Sequence, residues 1–372
     1  MSLSVAQAGV KMNFVRAAVV AICAVLTLGV NVAPAATPKR ANLGQMARAL
    51  VKSGAPAAII YVRTPTGARA GVAGFADRTA HVSMRAADRW RIASLTKAFV
   101  SVLVLQLEAE GKLDIDDPVA TYVPGVVPNG NAITLRELMN HTSGLFNFTD
   151  DAAFVNDPIA SFSRPWSPSE LLAVAFAHAP NFPPGSNWSY SNTNYIVLGL
   201  VVEAVTGKPL GQVLQERIFT PLALTATSFP LTIGLAPDFV HGYVKLPATA
   251  LIDISAALNP SWAWAAGGIV SNASDVTTFY RALLTGKLLP ATQLDELETP
   301  SQNAGTYGLG ISNAFLDCGR TLNHNGDLLG WRTIVYASKN GKRQAVVMVN
   351  VNDAYVDWSR LDALAQKALC RG

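Results

Sequence analysis

Apolar residues recur at two different periods along this chain, and the period changes with position. Helical spacing runs from Asn42, a candidate N-cap, to Val51. Strand-like apolar runs follow at 57–62 and 70–75, with a turn at Gly67 between them. A helix followed by a hairpin predicts an antiparallel sheet with a helix packed on it.

The middle of the chain has a different pattern of apolar and polar residues. A helix is predicted from Ser94 to about Glu110, with Gly111 as its stop signal, and its apolar residues cover most of its circumference. Such a helix is expected to be buried. From about 113 to 267 the pattern changes to turns and helical stretches, of which Tyr195–Thr206 is the clearest.

Strand patterns return towards the C-terminus. They lie at 321–322, 332–337 and 344–351, with a hairpin turn at Asn340-Gly341, and an amphipathic helix is predicted over 353–369. We therefore predict an α/β (α+β) fold. An antiparallel sheet flanked by helices is built from both chain ends, with an all-helical inserted domain.

The first 35 residues are predicted to be a secretory signal. Lys11 and Arg16 precede an uncharged run at 17–30, and small residues follow at 33–35. The run is shorter than the ~20 apolar residues that usually span a membrane. We expect a secreted or periplasmic protein with no stable membrane anchor after cleavage. The remaining chain divides into an α/β domain, 36–115 and 268–372, and a mainly helical inserted domain, 116–267.

Composition and cysteine content narrow the possible functions. Only 15% of residues are charged, the net charge is +4, and no stripe of Lys and Arg appears, so nucleic-acid binding is not expected. After signal cleavage the chain keeps Cys318 and Cys370. An even pair in an oxidising compartment predicts a disulfide, and two buried free thiols are the alternative.

Ser94 and Lys97 are the first candidates for chemistry. They lie one helical turn apart at the start of the predicted buried helix, so both side chains project from the same face. A helix N-terminus favours negative charge, and burial makes a lysine a better base. The alternative is a capping serine with a lysine that reaches solvent. Ten residues without another charge follow Lys97, which favours the catalytic interpretation.

Two later segments supply further polar groups. Tyr190 and Asn192 follow a loop; Asn192 can hold a substrate amide, and a nearby lysine is expected to lower the Tyr190 pKa so that it shuttles a proton. His324 and Gly326 lead into a predicted strand, where glycine permits close approach of a substrate. Ordinary capping and packing are the alternative roles. Motifs for metals and nucleotides are absent from the sequence, so we expect no metal and no cofactor.

Together these residues resemble the penicillin-recognising serine hydrolases, a serine β-lactamase-like family. The resemblance is to the branch with soluble D-alanyl-D-alanine carboxypeptidases and class C β-lactamases. The fold that it implies is the β-lactamase/transpeptidase-like one. The stretches that carry it are 135–145 (LRELMNHTSGL), Pro184-Gly185 before Tyr190-Ser191-Asn192, 266–271 (AGGIVS), 307–310 (YGLG), 337–343 (ASKNGKR), and the cysteines at 318 and 370.

The resemblance implies roles for the first set of residues. Ser94 would be the acylated nucleophile, Lys97 and Tyr190 would share the acid/base work, and Asn192 would position the substrate amide. Whether Lys97 or Tyr190 takes the serine proton stays open. The oxyanion hole would be formed by the backbone N–H groups of Ser94 and Asp327.

The third motif departs from the family pattern. His324 stands where class C β-lactamases carry lysine, and with Asn325 and Gly326 it would bind substrate. The carboxypeptidase pattern usually has a hydroxyl residue at Asn325, and often another at Asp327, to bind the substrate carboxylate. Ester or altered-peptide substrates therefore stay open.

Aromatic residues near the motif loops are candidates for pocket walls. We single out Trp264 and Trp331, with Phe146 and Trp262 as further candidates.

We predict an exported serine acyl hydrolase, a D-alanyl-D-alanine carboxypeptidase that acts on peptidoglycan stem peptides through an acyl-enzyme on Ser94. A β-lactamase or a small-ester hydrolase of the same family is the alternative within this class. A non-catalytic protein that binds peptidoglycan or penicillin is the alternative outside it. The expected partners are a small peptide, β-lactam or ester substrate and peptidoglycan, and we expect a monomer.

Overall fold

The strands come mostly from the two ends of the chain. The computed structural model describes residues 40–156, 158–245, 251–351 and 356–372, and the predicted signal at 1–35 lies outside these ranges. In chain order the strands are β1 (Ala57–Thr64), β2 (Gly67–Asp77), β3 (Val82–Ser83), β4 (Trp90–Arg91), β5 (Tyr243–Lys245), β6 (Leu251–Asp253), β7 (Val270–Ser271), β8 (Ser312–Leu316), β9 (Gly319–Leu328), β10 (Trp331–Ser338) and β11 (Gln344–Val349).

Seven of the described strands form one antiparallel sheet in the order β3-β2-β1-β11-β10-β9-β8. β1 pairs with β2 on one side and with β11 on the other, so that Ala58 lies opposite Val349. β4 pairs with β7, and β5 pairs with β6. The α/β fold class, with an antiparallel sheet built from both chain ends, is confirmed.

Most of the described α-helices lie between β4 and β8 in sequence, and helices flank the sheet. They are α1 (Leu43–Lys52), α2 (Thr96–Ala109), α3 (Leu135–Met139), α4 (Ala152–Asn156), α5 (Pro158–Ser163), α6 (Pro168–Phe176), α7 (Asn192–Thr206), α8 (Leu210–Leu214), α9 (Trp264–Gly267), α10 (Ala273–Leu284), α11 (Ala291–Glu298) and α12 (Trp358–Arg371). The segment 116–267 is mainly helical and also contains the short pair β5–β6. The boundaries proposed for it stay a prediction.

Local signals account for several helix ends. The side chain of Asn42 accepts a hydrogen bond from the Gln45 N–H at 3.0 Å and caps α1. Gly111 follows α2 with a left-handed φ of +67°, as expected for a glycine stop. The last helix begins at Trp358, after Asp357 as N-cap, because the Asp357 carboxylate accepts from a backbone N–H of the first turn. Its predicted start, Asp353, lies outside the described residues.

The two faces of the sheet pack against different helices. Ile59 belongs to the buried cluster that includes α2 and α10, whereas Ile60 belongs to the cluster formed with α1 and α12. Successive side chains of a strand point to opposite faces, so the sheet is the middle layer of the fold. The described residues form one compact unit.

Helix α2 is largely buried. Eleven of its 14 residues are buried, among them Lys97. Burial of each large apolar side chain stabilises the fold by roughly 1.5–3 kcal/mol, which offsets the cost of enclosing one amine. The sequence therefore places a basic group inside the protein at the helix that begins after Ser94.

A disulfide joins Cys318, between β8 and β9, to Cys370 in α12, as the even cysteine pair predicted. Among the described residues, no single helix has the length and apolarity to cross a membrane. The bent pair Asn192–Thr206 and Leu210–Phe219, at 78°, meets those criteria only when both helices are taken together.

Candidate active site

The serine lies in a tight turn directly ahead of α2. Ser94 is the middle residue of a 3₁₀ turn, and Ala93 before it has a left-handed φ of +51°. Backbone strain of this kind persists where the surrounding structure holds it, often at functional sites. Gly326 of β9 faces this turn, and a Cβ there would collide with the carbonyl of Ile92. Glycine therefore lets β9 approach the serine closely.

Lys97 is held by three neutral groups. Its Nζ lies 3.1 Å from Ser94 Oγ, 2.8 Å from Asn192 Oδ1 and 2.8 Å from the carbonyl oxygen of Ala266. Its side chain is fully buried, and this burial lowers its pKa well below the usual value. A neutral amine has two hydrogens and one lone pair. If the neutral amine gives its two hydrogens to the two carbonyl oxygens, its lone pair faces the Ser94 hydroxyl.

Tyr190 lies on the other side of the serine. It forms a hydrogen bond with Ser94, and the Lys97 Nζ lies 4.8 Å from the centre of its ring. Burial raises the pKa of Tyr190, and the bond to Ser94 only partly offsets this. The expectation that a nearby lysine lowers this pKa is therefore wrong, because burial dominates the pKa of Tyr190. Tyr190 is a neutral phenol, and thus a proton donor.

Asn192 is fixed in one orientation by its partners. Its Oδ1 accepts from Lys97, its Nδ2 donates to Thr149 Oγ1 at 3.0 Å, and its backbone N–H donates to Asn147 Oδ1 at 2.9 Å. Asn192 is the first residue of α7, so the rigid helix positions it. Neither Thr149 nor Asn147 was predicted from the sequence.

A cavity of about 250 Å³ opens beside Ser94. Asn192 and Thr149 line its polar side, and three aromatic side chains line the apolar side: Phe148, Phe162 and Trp262. The rings of Phe162 and Trp262 lie 4.5 Å apart. The cavity can therefore enclose an apolar side chain of a substrate next to the serine hydroxyl.

The other aromatic candidates occupy different places. Trp331 is fully buried, and its indole N–H donates to the carbonyl of Val240. Trp264 packs against α7, where a Cβ on Gly199 would collide with its ring. Neither Trp264 nor Trp331 lines the cavity beside Ser94, and this corrects their predicted role.

The β9 motif divides between two locations. Asp327 lines the same cavity as Ser94, so the two backbones predicted to form the oxyanion hole border one space. His324 is buried, Asn325 is exposed, and Gly326 packs against the turn before Ser94. None of these three is among the residues that line the cavity, so the structure does not place them against a substrate there.

Asp327 is the one charged residue among those that line the cavity. One of its carboxylate oxygens lies 3.4 Å from Arg332 Nε. None of the described residues lining the cavity is a lysine, an arginine or a histidine. A substrate carboxylate would therefore find no cation on its walls.

Two buried side chains that the sequence analysis did not single out reach this site. His141 packs against Tyr190, with 4.3 Å between the ring centres, and Tyr307 contacts His141 and His324. Both lie in stretches quoted for the family resemblance, which was the available signal. Phe148 and Phe162 carried none.

One group in the described part of the chain has a spacing that suits a metal ion, namely Asp77, His241 and Asp253. His241 Nδ1 lies 2.6 Å from Asp253 Oδ2, so these side chains already pair with one another. None of them lines the cavity beside Ser94.

A serine hydroxyl 3.1 Å from a buried amine, with a phenol hydrogen-bonded to it, suits a serine hydrolase that works through an acyl-enzyme. The chain belongs to the beta-lactamase family, whose model, described as Beta-lactamase, matches residues 43–369. The family resemblance found in the sequence is thereby confirmed.

Several known proteins are similar to this chain. A D-stereospecific amidohydrolase from Streptomyces sp. is 36% identical, with a TM-score of 0.81, over 88% of this chain and 98% of that one. PbpX of Bacillus subtilis (strain 168), provisionally named a penicillin-binding protein, is 29% identical over 75% of this chain and 66% of its own length. A provisionally named D-alanyl-D-alanine carboxypeptidase of Escherichia coli (strain K12) is 29% identical over 59% of this chain. The chain spans 57% of that protein, so it covers less than two thirds of each of these two relatives.

Proposed function

We propose that this protein hydrolyses an amide bond whose acyl residue has the D configuration, through an acyl-enzyme on Ser94. The observation that carries the proposal is the position of Lys97, which contacts Ser94 Oγ from inside the protein while its other two partners are carbonyl oxygens. The similar Streptomyces amidohydrolase, which is named for D-stereospecificity, supports the choice of substrate. The aromatic walls of the cavity suit an apolar side chain.

The first half of the reaction uses Lys97 as the base. Its lone pair takes the proton of Ser94 Oγ as this oxygen attacks the substrate carbonyl, and an ammonium and a tetrahedral oxyanion form. The backbone N–H groups of Ser94 and Asp327 are proposed to bind the oxyanion. Tyr190 then donates its proton to the leaving nitrogen, and the Lys97 ammonium returns a proton to Tyr190.

The second half releases the acyl group. Water attacks the serine ester, Lys97 accepts its proton, and a proton passes to Ser94 Oγ as the acid product leaves. Asn192 is proposed to hold the substrate amide during acylation, because its side chain is fixed by Lys97 and Thr149.

The test is the hydrolysis of D- and L-phenylalanine amide by the purified protein. We expect turnover of the D enantiomer and its loss in Ser94→Ala. Ser169→Ala is the matched control, since Ser169 is exposed on α6 and does not line the cavity. Equal turnover of the two enantiomers, or activity that survives in Ser94→Ala, would contradict the proposal.

A D-alanyl-D-alanine carboxypeptidase is the second candidate. The family resemblance and the relative named for that activity favour it. The cavity favours it less, because Asp327 is the charged residue on its walls and no cation is there to pair with a terminal carboxylate. A peptide ending in D-Ala-D-Ala separates the candidates when it is compared with the same peptide carrying a C-terminal amide. Faster turnover of the free acid would favour the carboxypeptidase.

Intact mass after incubation with benzylpenicillin separates the remaining alternatives. A long-lived adduct that Ser94→Ala loses is expected for a slowly deacylating enzyme of this family. Rapid drug loss without an adduct would favour a β-lactamase. An absence of adduct, of drug loss and of ester turnover would favour a protein that binds peptidoglycan or penicillin without catalysis.

We further propose that the protein is exported and acts as a monomer on peptidoglycan-derived substrates. The charge and apolar pattern of residues 1–35 supports export, and so does the Cys318–Cys370 disulfide, since disulfides persist in oxidising compartments. N-terminal sequencing of the protein from a fractionated bacterial host tests export. A start near residue 36 in the exported fraction is expected, and an uncleaved cytoplasmic chain would contradict it.

A further inference from the structure

A buried chain of hydrogen bonds lies beside the serine site and takes no part in the proton transfers above. His141 Nε2 lies 3.3 Å from the Tyr307 hydroxyl, and this hydroxyl lies 3.0 Å from His324 Nε2. All three side chains are at least nine-tenths buried. They come from three separate parts of the sequence, so the fold alone brings them together.

The direction of every bond in the chain follows from its ends. His324 Nδ1 lies 2.6 Å from the carbonyl oxygen of Asn325, which can only accept, so Nδ1 carries the hydrogen. Burial lowers the pKa of His324 to about 4, so the ring is neutral and its Nε2 accepts. The hydroxyl of Tyr307 therefore donates to His324, and its oxygen accepts from Nε2–H of His141.

The second nitrogen of His141 completes this assignment. Its Nδ1 accepts from the backbone N–H of Ser191 at 3.2 Å and from Asn194 Nδ2 at 3.3 Å. Burial also lowers the pKa of His141 well below its usual value, so this ring is neutral as well. The two histidines thus carry their hydrogens on opposite nitrogens.

The buried chain of hydrogen bonds connects two parts of the proposed catalytic site. At one end, His141 binds the backbone of Ser191, between Tyr190 and Asn192, and its ring packs on Tyr190. At the other end, His324 belongs to β9, three residues before Asp327. His141 has a left-handed φ of +65°, which for a residue other than glycine requires firm support from its surroundings.

We propose that Tyr307 is a positioning residue for the acyl-transfer site, because its hydroxyl ties the Tyr190–Asn192 loop to strand β9 through His141 and His324. The role rests on the proposed function, since it concerns the placement of Tyr190 and of the oxyanion N–H groups around Ser94. Small displacements of reacting groups cost large factors in rate. Loss of the hydroxyl should therefore lower turnover more than substrate binding.

Tyr307→Phe tests the role, because it removes the hydroxyl and keeps the ring. With a p-nitrophenyl ester we expect kcat to fall about tenfold or more while KM changes less than about twofold. Tyr280→Phe is the matched control, since Tyr280 is fully buried in α10 and its hydroxyl has no hydrogen-bond partner within the described part of the chain. Wild-type kcat in Tyr307→Phe, or an equal loss in Tyr280→Phe, would overturn the positioning role.

The hydrogen-bond directions have their own test. Long-range ¹⁵N NMR of the histidine-labelled protein at pH 7 distinguishes the two neutral forms of each ring. His141→Gln and His324→Gln assign the signals among the five histidines. We expect a hydrogen on Nε2 of His141 and on Nδ1 of His324. The same neutral form in both rings, or a charged ring, would contradict the proposed directions of the hydrogen bonds.

Failure of the proposed function gives a different result. If the wild-type protein neither turns over esters and amides nor forms an adduct at Ser94, the acyl-transfer proposal fails, and the positioning role fails with it. The NMR measurement would still decide whether the buried chain exists as described. If the wild-type protein is active and Tyr307→Phe is unaffected, only the positioning role fails.

Discussion

At the scale of single residues, the site depends on keeping one amine uncharged. Lys97 is fully buried at the start of α2, and its hydrogen-bond partners among the described residues are a hydroxyl and two carbonyl oxygens. A carboxylate at that position would stabilise the ammonium and remove the base. The chemistry therefore requires neutral partners around Lys97.

Lys97→Ala is expected to lower kcat by about 10²–10⁴-fold, the usual cost of losing a general base. Lys97→Arg should lose a similar amount, because a guanidinium keeps the positive charge and the donors but does not deprotonate. Steady-state kinetics on an ester checks both variants. Substantial activity in Lys97→Arg would assign Lys97 to positioning, and near-full turnover in Lys97→Ala would remove it from the mechanism.

The pH dependence has a definite sign. The neutral amine is the active form, so kcat/KM should rise with pH and reach a plateau above the Lys97 pKa. Burial lowers that pKa well below the usual lysine value, and the plateau should begin correspondingly early. A rate that keeps rising up to the pKa of a solvent-exposed lysine would contradict the assignment.

Trp262 is expected to set the preference for large apolar side chains. In Trp262→Ala we expect the ratio of kcat/KM for D-phenylalanine amide to that for D-alanine amide to fall about tenfold, since apolar contacts in a pocket discriminate by about 1–3 kcal/mol. Trp264→Phe is the control, because Trp264 does not line the cavity. An unchanged ratio in Trp262→Ala would place the substrate elsewhere.

Ser94, Lys97, Tyr190 and Asn192 could be predicted as candidates because each lies in a short local motif. The state of Tyr190 could not, since its pKa depends on burial that three distant segments create. The places of the Trp264 and Trp331 rings could not be predicted either. Their sequence positions are close to the motifs, but their rings face α7 and the backbone of Val240.

At the scale of elements, the contact between α2 and α11 contains two facing carboxyl groups. Burial raises the pKa of Glu108 to about 7, together with the hydrogen bond that protonated Glu108 donates to Glu296 and the repulsion between the two carboxylates. Between the ordinary pKa of a glutamate and about 7, the folded protein holds a proton that the unfolded chain releases. The free energy of unfolding should therefore decrease as the pH rises through this window and level off above it.

Glu108→Gln should remove this dependence, because the amide carries no charge at any pH. The measurement is the thermal midpoint at pH 5 and pH 8. The midpoint of the variant is expected to fall less between these two pH values than that of the wild type. Asp295→Asn removes an exposed charge from the same helix α11 and serves as control. An identical decrease in the wild type and in Glu108→Gln would contradict the prediction.

Longer elements could be predicted from periodicity, and the shortest could not. The spacing of apolar residues predicted α1, β1, β10 and the start of α2 to within a few residues. β3, β4 and β7 have two residues each, too few to show any period, and β4 and β7 exist because they pair with each other across a long stretch of sequence. The approach of Gly326 to Ile92 has the same origin: the glycine was visible, but its neighbour was not.

At the scale of the whole molecule, the disulfide closes a large loop through the second half of the sheet. Cys318 and Cys370 are 52 residues apart, and a crosslink of this kind contributes about 2–4 kcal/mol. A reducing agent should therefore lower the thermal midpoint of the wild type. Cys318→Ser should already have the lower midpoint and should not respond to the reductant. Equal midpoints in all samples would contradict the prediction.

The pairing of β1 with β11 has a consequence for when the enzyme becomes active. The Ala57 N–H donates to the Asn350 side chain, 293 residues further along the chain, so the central strands cannot meet before nearly all of the polypeptide has been made. Contacts this distant are slow to form. Ser94 emerges from the ribosome early, yet β9 and Asp327 join it late. A nascent chain therefore carries the nucleophile without a working site, and only a completed molecule can hydrolyse its substrate.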